Sequence, residues 1–137
     1  MPKSATTLLV GDGTLLNQTG EPQRAAGYYT TAINGGWHTV SADLVNFTGR
    51  VYIEATLSAT PTESDWFPIQ LHSNTAYAQF PVRPLFPTGL NGDTSTVGWT
   101  FRGNFVFVRA RIDRSYIAPP PNDLSTVGVA RKIMMSV

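Results

Sequence analysis

Apolar and polar residues alternate with a period of two along short segments of the chain, a pattern typical of β-strands with one buried face. In residues 50–59 the apolar set is Val51, Ile53, Ala55 and Leu57, and the polar set is Tyr52, Glu54, Thr56 and Ser58. In residues 104–112 the sets are Val106, Val108, Ala110 and Ile112, and Phe105, Phe107, Arg109 and Arg111. We expect the two apolar sets to point into one core between two sheets.

Further short segments of this kind follow at near-regular spacing, and Gly, Pro and Asn separate them. They are Thr6–Val10, Tyr28–Ile33, Trp37–Val40, Asp43–Phe47, Trp66–Leu71, Tyr77–Val82, Gly98–Arg102 and Val127–Val137. No stretch keeps the apolar spacing of a helix over a dozen positions. The sequence therefore predicts an all-β, single-domain β-sandwich or jelly-roll-like fold of about eight short strands.

Turn residues divide the chain into an arm and a domain. Residues 1–24 contain one strand and a polar stretch, and we interpret them as an N-terminal arm ahead of a sandwich domain at 25–137. Asn34-Gly35-Gly36 favours a hairpin turn. Three prolines and Asn91-Gly92-Asp93 predict a long loop over 83–96.

Composition narrows the function classes. Charged residues are 14% of the chain, below the usual ~25%, and the net charge is +1 with no basic run, which argues against a nucleic-acid binder. Apolar runs are far shorter than the ~20 residues that span a membrane, and the first residues lack the apolar core of a signal peptide. With no Cys, a disulfide framework and a thiolate site are excluded.

Residues for catalysis are few, so the expectation is a protein without enzymatic activity, metal or cofactor. His38 and His72 lack zinc-site spacing, and we interpret both as structural imidazoles. The carboxylates of Glu63 and Asp65 lie beside a turn, which they are expected to cap. Spacing alone does not exclude a pair of carboxylates that converge in space, as in a glycosidase.

Arg109 and Arg111 pose a problem of burial. Their spacing puts both guanidinium groups on the face that carries Phe105 and Phe107. A buried guanidinium needs polar partners, so this face is covered either by an element with carboxylates or by a partner subunit. Internal ion pairing is the favoured alternative.

The order of several packing motifs resembles small structural proteins in the virions of T4-like tailed phages, notably those of cyanobacteria. The motifs are Gly-Gly-Trp-His-Thr-Val at 35–40, Phe-Thr-Gly-Arg-Val-Tyr-Ile-Glu-Ala-Thr-Leu at 47–57, Pro-Thr-Glu-Ser-Asp-Trp-Phe-Pro-Ile at 61–69, Phe-Arg-Gly-Asn-Phe-Val-Phe-Val-Arg-Ala at 101–110 and the closing strand 129–137. The resemblance covers about residues 25–137. It implies a particle component made in the host cytoplasm, in a head-decoration, neck, tail or baseplate position.

The expected function is therefore assembly through contacts with other virion proteins or with copies of the chain, without nucleic acid or membrane. The candidate interface residues lie in the arm, the proline-rich loop and the segment before the second proline run: Leu8, Leu9, Phe86, Leu90, Tyr116 and Ile117. The alternative is a carbohydrate-binding module for host glycans, because the strand–loop–Trp arrangement at 51–66 is similar to galactose-binding-like sandwiches. Its stacking rings would be Trp37, Trp66 and Trp99.

Overall fold

Two antiparallel sheets make up most of the described chain. The computed structural model describes residues 5–12, 15–25, 36–71, 75–80, 92–117 and 127–136. Its strands are β1 (Ala5–Val10), β2 (Gln18–Thr19), β3 (Gln23–Arg24), β4 (Trp37–Phe47), β5 (Gly49–Thr56), β6 (Phe67–Pro68), β7 (Ala78–Phe80), β8 (Asp93–Arg102), β9 (Phe107–Asp113) and β10 (Val129–Ser136). A 3₁₀ turn spans Glu63–Asp65. The prediction of an all-β sandwich-like domain is confirmed.

The strands divide between a four-stranded and a six-stranded sheet. The four-stranded sheet has the order β1-β10-β4-β8, and β4 pairs with β8 from Trp37 opposite Arg102 to Phe47 opposite Asp93. In the six-stranded sheet β5 pairs with β9 in the centre, β2 and β3 lie on the far side of β9, and β6 and β7 pair with β5. The predicted strand Tyr28–Ile33 lies outside the described residues.

The core forms where the inner faces of the two sheets meet. From the six-stranded sheet it takes alternate residues of β5 and β9, and from the four-stranded sheet alternate residues of β4 and β10. Those fully or almost fully buried are Val51, Ile53, Ala55, Val108, Ala110, Ile112, Val40, Ala42, Leu44, Phe47, Ala130, Ile133 and Met135. The period-two pattern therefore places six predicted core side chains correctly: Val51, Ile53, Ala55, Val108, Ala110 and Ile112.

Several predicted strand boundaries are wrong. The two predicted segments Trp37–Val40 and Asp43–Phe47 form the single strand β4, and only Phe67–Pro68 of the predicted segment Trp66–Leu71 is a strand. β5 ends at Thr56, so Leu57 lies beyond the strand and is 66% exposed. β9 begins at Phe107, so Val106 lies before it and is half-buried, although its N–H still donates to the Thr56 carbonyl. Residues 93–96, expected in a loop, belong to β8 because they pair with β4.

The N-terminal segment is not an arm in the described structure. β1 pairs with β10, while β2 and β3 pair with β9, so this segment contributes strands to both sheets. Leu8 and Leu9 are buried in the core, because a register shift between Thr7 and Leu9 turns both side chains inward. A boundary at residue 24 therefore does not separate an arm from a domain.

Arg114 ties this N-terminal segment to the end of the chain. The residue is buried, and its guanidinium donates hydrogen bonds to the carbonyls of Leu15, Leu16, Val127 and Gly128. The same group lies over the Phe47 ring, 5.4 Å from its centroid. Burial lowers the pKa of Arg114, but an arginine side chain stays protonated in proteins, and the four carbonyls stabilise its positive charge.

A single carboxylate in the core tests this arrangement. Val108 is fully buried, so Val108→Asp is expected to lower the free energy of unfolding by roughly 3–5 kcal/mol, because it buries a charge without a partner. Leu57→Asp is the matched control, since this exposed side chain should change stability by only about 0.5 kcal/mol. Urea denaturation measures both. Equal losses would contradict the observed end of β5.

Candidate functional site

The outer face of the six-stranded sheet brings together the charged and aromatic residues of its two central strands. Glu54 of β5 lies opposite Arg109 of β9, and Tyr52 lies opposite Arg111. Because the intervening residues of both strands point into the core, these four side chains point outward. This face is the candidate site.

Glu54 joins the two arginines of β9. Its Oε1 accepts a hydrogen bond from Arg109 Nε at 2.8 Å, and its Oε2 accepts one from Arg111 Nε at 3.2 Å. Glu54 and Arg109 are each only 7% exposed, so their charges attract in a poorly solvated site. The expected internal ion pairing is confirmed.

A second carboxylate reaches Arg109 from the 3₁₀ turn. Both guanidinium Nη atoms donate to the carboxylate of Glu63, at 3.3 and 3.2 Å. Asp65 holds the turn by accepting from the Thr62 N–H at 2.8 Å. The expected capping role is thus confirmed for Asp65, whereas Glu63 serves as an ion-pair partner. Every guanidinium nitrogen of Arg109 has a carboxylate oxygen.

Aromatic rings stack on each arginine of the face. The guanidinium carbon lies 4.3 Å from the Trp66 centroid in Arg109 and 4.0 Å from the Tyr52 centroid in Arg111. These distances are within the range of cation–π attraction. The ring of Tyr52 in turn contacts the ring of Tyr77, with 5.4 Å between centroids.

Arg50 lies between two tyrosines at the other end of the face. Its guanidinium carbon is 4.4 Å from the centroid of Tyr77 and 4.2 Å from that of Tyr116, and its Nε donates to Gln79 Oε1 at 3.0 Å. We call the whole surface the arginine–aromatic face. Its members are Arg50, Tyr52, Glu54, Glu63, Trp66, Tyr77, Arg109, Arg111, Asp113 and Tyr116.

The charges of the arginine–aromatic face balance, with three arginines against three carboxylates. Hydrogen bonds from Ser115, with smaller contributions from Arg111 and Arg50, lower the pKa of Asp113. Hydrogen bonds and attraction from Arg109 lower the pKa of Glu63. A general acid needs a raised pKa instead. Both carboxylates are therefore suited to hold arginines in place.

Of the six candidate interface residues, Tyr116 belongs to this face. Tyr116 stacks on Arg50, and Ile117 follows it in the chain with its N–H donating to the Arg114 carbonyl. Both are half-buried. The prediction that Leu8 and Leu9 contact a partner is wrong, because both side chains are buried in the core. Phe86 and Leu90 lie outside the described residues, as does His72.

The three tryptophans do not share a surface. Trp37 is 47% exposed on the outer face of the four-stranded sheet, beside Arg102 at 5.7 Å. Trp99 lies opposite the buried Val40 and packs against the core. Trp66 is stacked on Arg109 on the other sheet. A sugar-stacking platform built from all three is therefore not formed.

Sequence reasoning missed Arg50, Tyr52, Glu54 and Tyr77 as site residues. For three of them a signal was present, since Arg50, Tyr52 and Glu54 alternate with the apolar set of β5. Pairing β5 with β9 would have placed Glu54 against Arg109. Tyr77 gave no such signal, because its place depends on how β7 pairs with β5.

His38 is a core residue of the four-stranded sheet. It is fully buried, and its ring stacks on Phe101, with 5.1 Å between centroids and planes 3° apart. Burial lowers the pKa of His38, so the neutral imidazole is the favoured form in the folded protein.

Among the residues that the structure describes, no three His, Asp or Glu side chains are grouped to hold a metal ion. The same residues include no helix long and apolar enough to cross a membrane.

His38 makes stability depend on pH. Folding lowers the pKa of His38 below the value of about 6.5 that a histidine has in the unfolded chain. Between these two pKa values the unfolded chain binds a proton that the folded protein does not bind. The free energy of unfolding should then fall with acidification, from about pH 6.5 down to the lowered pKa, by up to about 1.4 kcal/mol per pH unit. Urea denaturation between pH 7.5 and 5.5 measures this slope. His38→Phe should flatten it, and an unchanged slope in that variant would contradict the burial of a neutral imidazole.

No family model, no curated protein and no solved structure matches the chain in comparisons of sequence and fold.

Proposed function

We propose that the chain is a non-enzymatic structural component of a tailed-phage virion and that its arginine–aromatic face docks against a neighbouring virion protein. The observation that carries the proposal is the set of stacked arginines: three guanidinium groups held by carboxylates or an amide and covered by aromatic rings. The phage assignment itself rests on the resemblance at 25–137.

The residue types of this face are those on which protein interfaces depend. Tyr, Trp and Arg are enriched among the residues that dominate binding energy between proteins. Tyr52, Tyr77 and Tyr116 are half-buried, so each ring still presents surface to a partner. Neighbouring arginines already fix these rings, and less side-chain entropy is lost when they dock.

The balanced charge favours a protein partner over a nucleic acid. Binding to phosphates needs arginines or lysines that are free to replace counterions. In this face Arg109 is held by Glu54 and Glu63, and Arg111 by Glu54 and Asp113. A partner that meets the face therefore meets aromatic surface and satisfied polar groups, and the association should depend weakly on salt.

The second candidate is a module that binds host-surface glycans, and one observation favours it. Trp37 is an exposed ring on the outer face of the four-stranded sheet, and Thr39 and Thr100 lie near it with their hydroxyl oxygens 3.2 Å apart. An exposed indole next to hydroxyl groups suits the apolar face of a sugar. A single ring supplies less stacking area than the arginine–aromatic face offers to a protein, so this candidate ranks second.

Alanine variants on the two surfaces separate the candidates. Tyr77→Ala and Tyr116→Ala should reduce the amount of chain in gradient-purified particles at least tenfold, because truncating a central interface aromatic costs about 2 kcal/mol or more. Trp37→Ala is the control on the opposite sheet and should leave incorporation unchanged. Quantitative immunoblotting of the particles is the readout, and circular dichroism checks that each variant folds.

Absence of the unaltered chain from purified particles would overturn the virion assignment. Normal incorporation of both tyrosine variants would overturn the docking role of the arginine–aromatic face. Lost adsorption of Trp37→Ala particles to host polysaccharide, with normal incorporation of all three variants, would favour the glycan-binding candidate instead.

A further inference from the structure

β8 is a long edge strand of the four-stranded sheet. It runs for ten residues, Asp93–Arg102, and among the described strands it pairs with β4 alone. Thr94, Ser95, Thr96, Gly98, Thr100 and Arg102 are exposed, whereas Val97, Trp99 and Phe101 pack against the core. The strand therefore has a buried inner face, a solvated outer face and one edge without a strand beside it in the described part of the chain.

The direction of the backbone groups follows from one hydrogen bond. The Gly103 N–H donates to the Gly36 carbonyl at 3.1 Å, and these residues continue the register that sets Trp37 opposite Arg102. Every second residue of an antiparallel strand bonds to the same neighbour. Odd-numbered residues from Ser95 to Phe101 thus bond to β4. The N–H and C=O groups that point to the outer edge belong to Thr94, Thr96, Gly98, Thr100 and Arg102.

Within residues 94–101 the strand itself lacks the sequence features with which proteins block strand addition. Such features are Pro, Lys, bulges and inward-pointing charges. Residues 94–101 contain no charged residue and no Pro. The register shift of the β4–β8 pair falls between Leu44 and Phe47, so β8 follows β4 regularly from Ser95 to Arg102.

We infer that two copies of the chain join through β8, antiparallel, about a two-fold axis through Gly98. The edge-facing residues are symmetric about Gly98, so this register pairs Gly98 with Gly98, Thr96 with Thr100 and Thr94 with Arg102. The edge-facing N–H and C=O groups of Thr96, Gly98 and Thr100 then exchange hydrogen bonds with the other copy. The two four-stranded sheets become one sheet that continues across the dimer.

The side chains of β8 are self-complementary in this register. On the outer face Thr96 meets Thr100 of the other copy and extends the Thr39–Thr100 contact, and cross-strand Thr pairs are favourable. On the inner face Val97 of one copy lies opposite Trp99 of the other. Both side chains pack against the core of their own copy, so the contact joins the apolar surfaces of the two cores. Arg102 lies opposite Thr94, so like charges do not face each other. Gly98 places no side chain at the axis, so the central pair of the dimer meets without a side-chain clash.

The inference does not rest on the proposed function. β8 belongs to the four-stranded sheet, so pairing through its edge leaves the arginine–aromatic face of the other sheet open. A dimer could form whether or not the chain is part of a particle, and the experiments below use purified protein alone.

A single cysteine at the axis tests the register. The chain has no Cys, so Gly98→Cys introduces the only thiol. Opposed residues in a hydrogen-bonded antiparallel pair have Cα atoms about 5.5 Å apart, within the range a disulfide bridges. Under mild oxidation Gly98→Cys should yield a disulfide-linked dimer on non-reducing gels. Thr39→Cys, on the same outer face but one strand further in, should stay monomeric on the gel.

Sedimentation of the unaltered chain and two lysine variants gives an independent measurement. The unaltered chain should sediment at twice its mass of 14.9 kDa. The double variant Thr96→Lys/Thr100→Lys places lysines opposite each other twice and should sediment as a monomer. Thr39→Lys, which adds a lysine away from the edge, should remain a dimer.

Two results would overturn the inference. One is an unaltered chain that is monomeric at every concentration together with no preferential cross-linking of Gly98→Cys. The other is a dimer that survives the double lysine change in a correctly folded protein, since its contact then lies elsewhere.

Discussion

The Glu54 carboxylate is the interaction on which the functional surface depends. Arg109 and Arg111 share one face of β9, and two guanidinium groups so close together repel unless an anion lies between them. Glu54 lies on the neighbouring strand in the register that lets each of its oxygens accept from one arginine. Removing one partner of a buried pair of this kind typically costs about 3–5 kcal/mol, because the other charge is left uncompensated. The register of β5 against β9 therefore determines how the side chains of the face are arranged.

The other contacts of the face are built around the hydrogen bonds of Glu54 with Arg109 and Arg111. Arg109, fixed by Glu54 and Glu63, supports the Trp66 ring, and Arg111 supports Tyr52. Tyr52 contacts Tyr77, which covers Arg50 from one side while Tyr116 covers it from the other. The aromatic rings are thus held by stacking before any partner arrives. A surface with fixed rings and neutralised charge is suited to docking against another protein.

Local sequence patterns predicted the core of the two central strands and the need to neutralise their arginines. Alternation placed Val51, Ile53 and Ala55 in the core correctly, and the cost of burying a guanidinium predicted carboxylates near Arg109. Leu57 was misplaced because alternation continues past the residue at which pairing ends. Leu8 and Leu9 were misplaced because a short strand followed by polar residues does not show that it pairs with β10, more than a hundred residues later in the sequence.

The identity of the neutralising residue depends on tertiary contacts that no local pattern contains. Glu54 and Arg109 are 55 residues apart, and Arg114 binds carbonyls up to 99 residues away. Such contacts require the order of strands in the sheet, which alternation does not determine. The same reason explains why Tyr77 was missed, since only the pairing of β7 with β5 brings it beside Arg50.

Oxidative footprinting of the chain, free and in purified particles, tests the central claim most directly. If the arginine–aromatic face is the docking surface, Tyr52, Tyr77 and Tyr116 should be protected in particles, while Trp37 on the opposite sheet should be oxidised as readily as in the free protein. Equal oxidation of the three tyrosines in both states, in particles that contain the chain, would contradict the account.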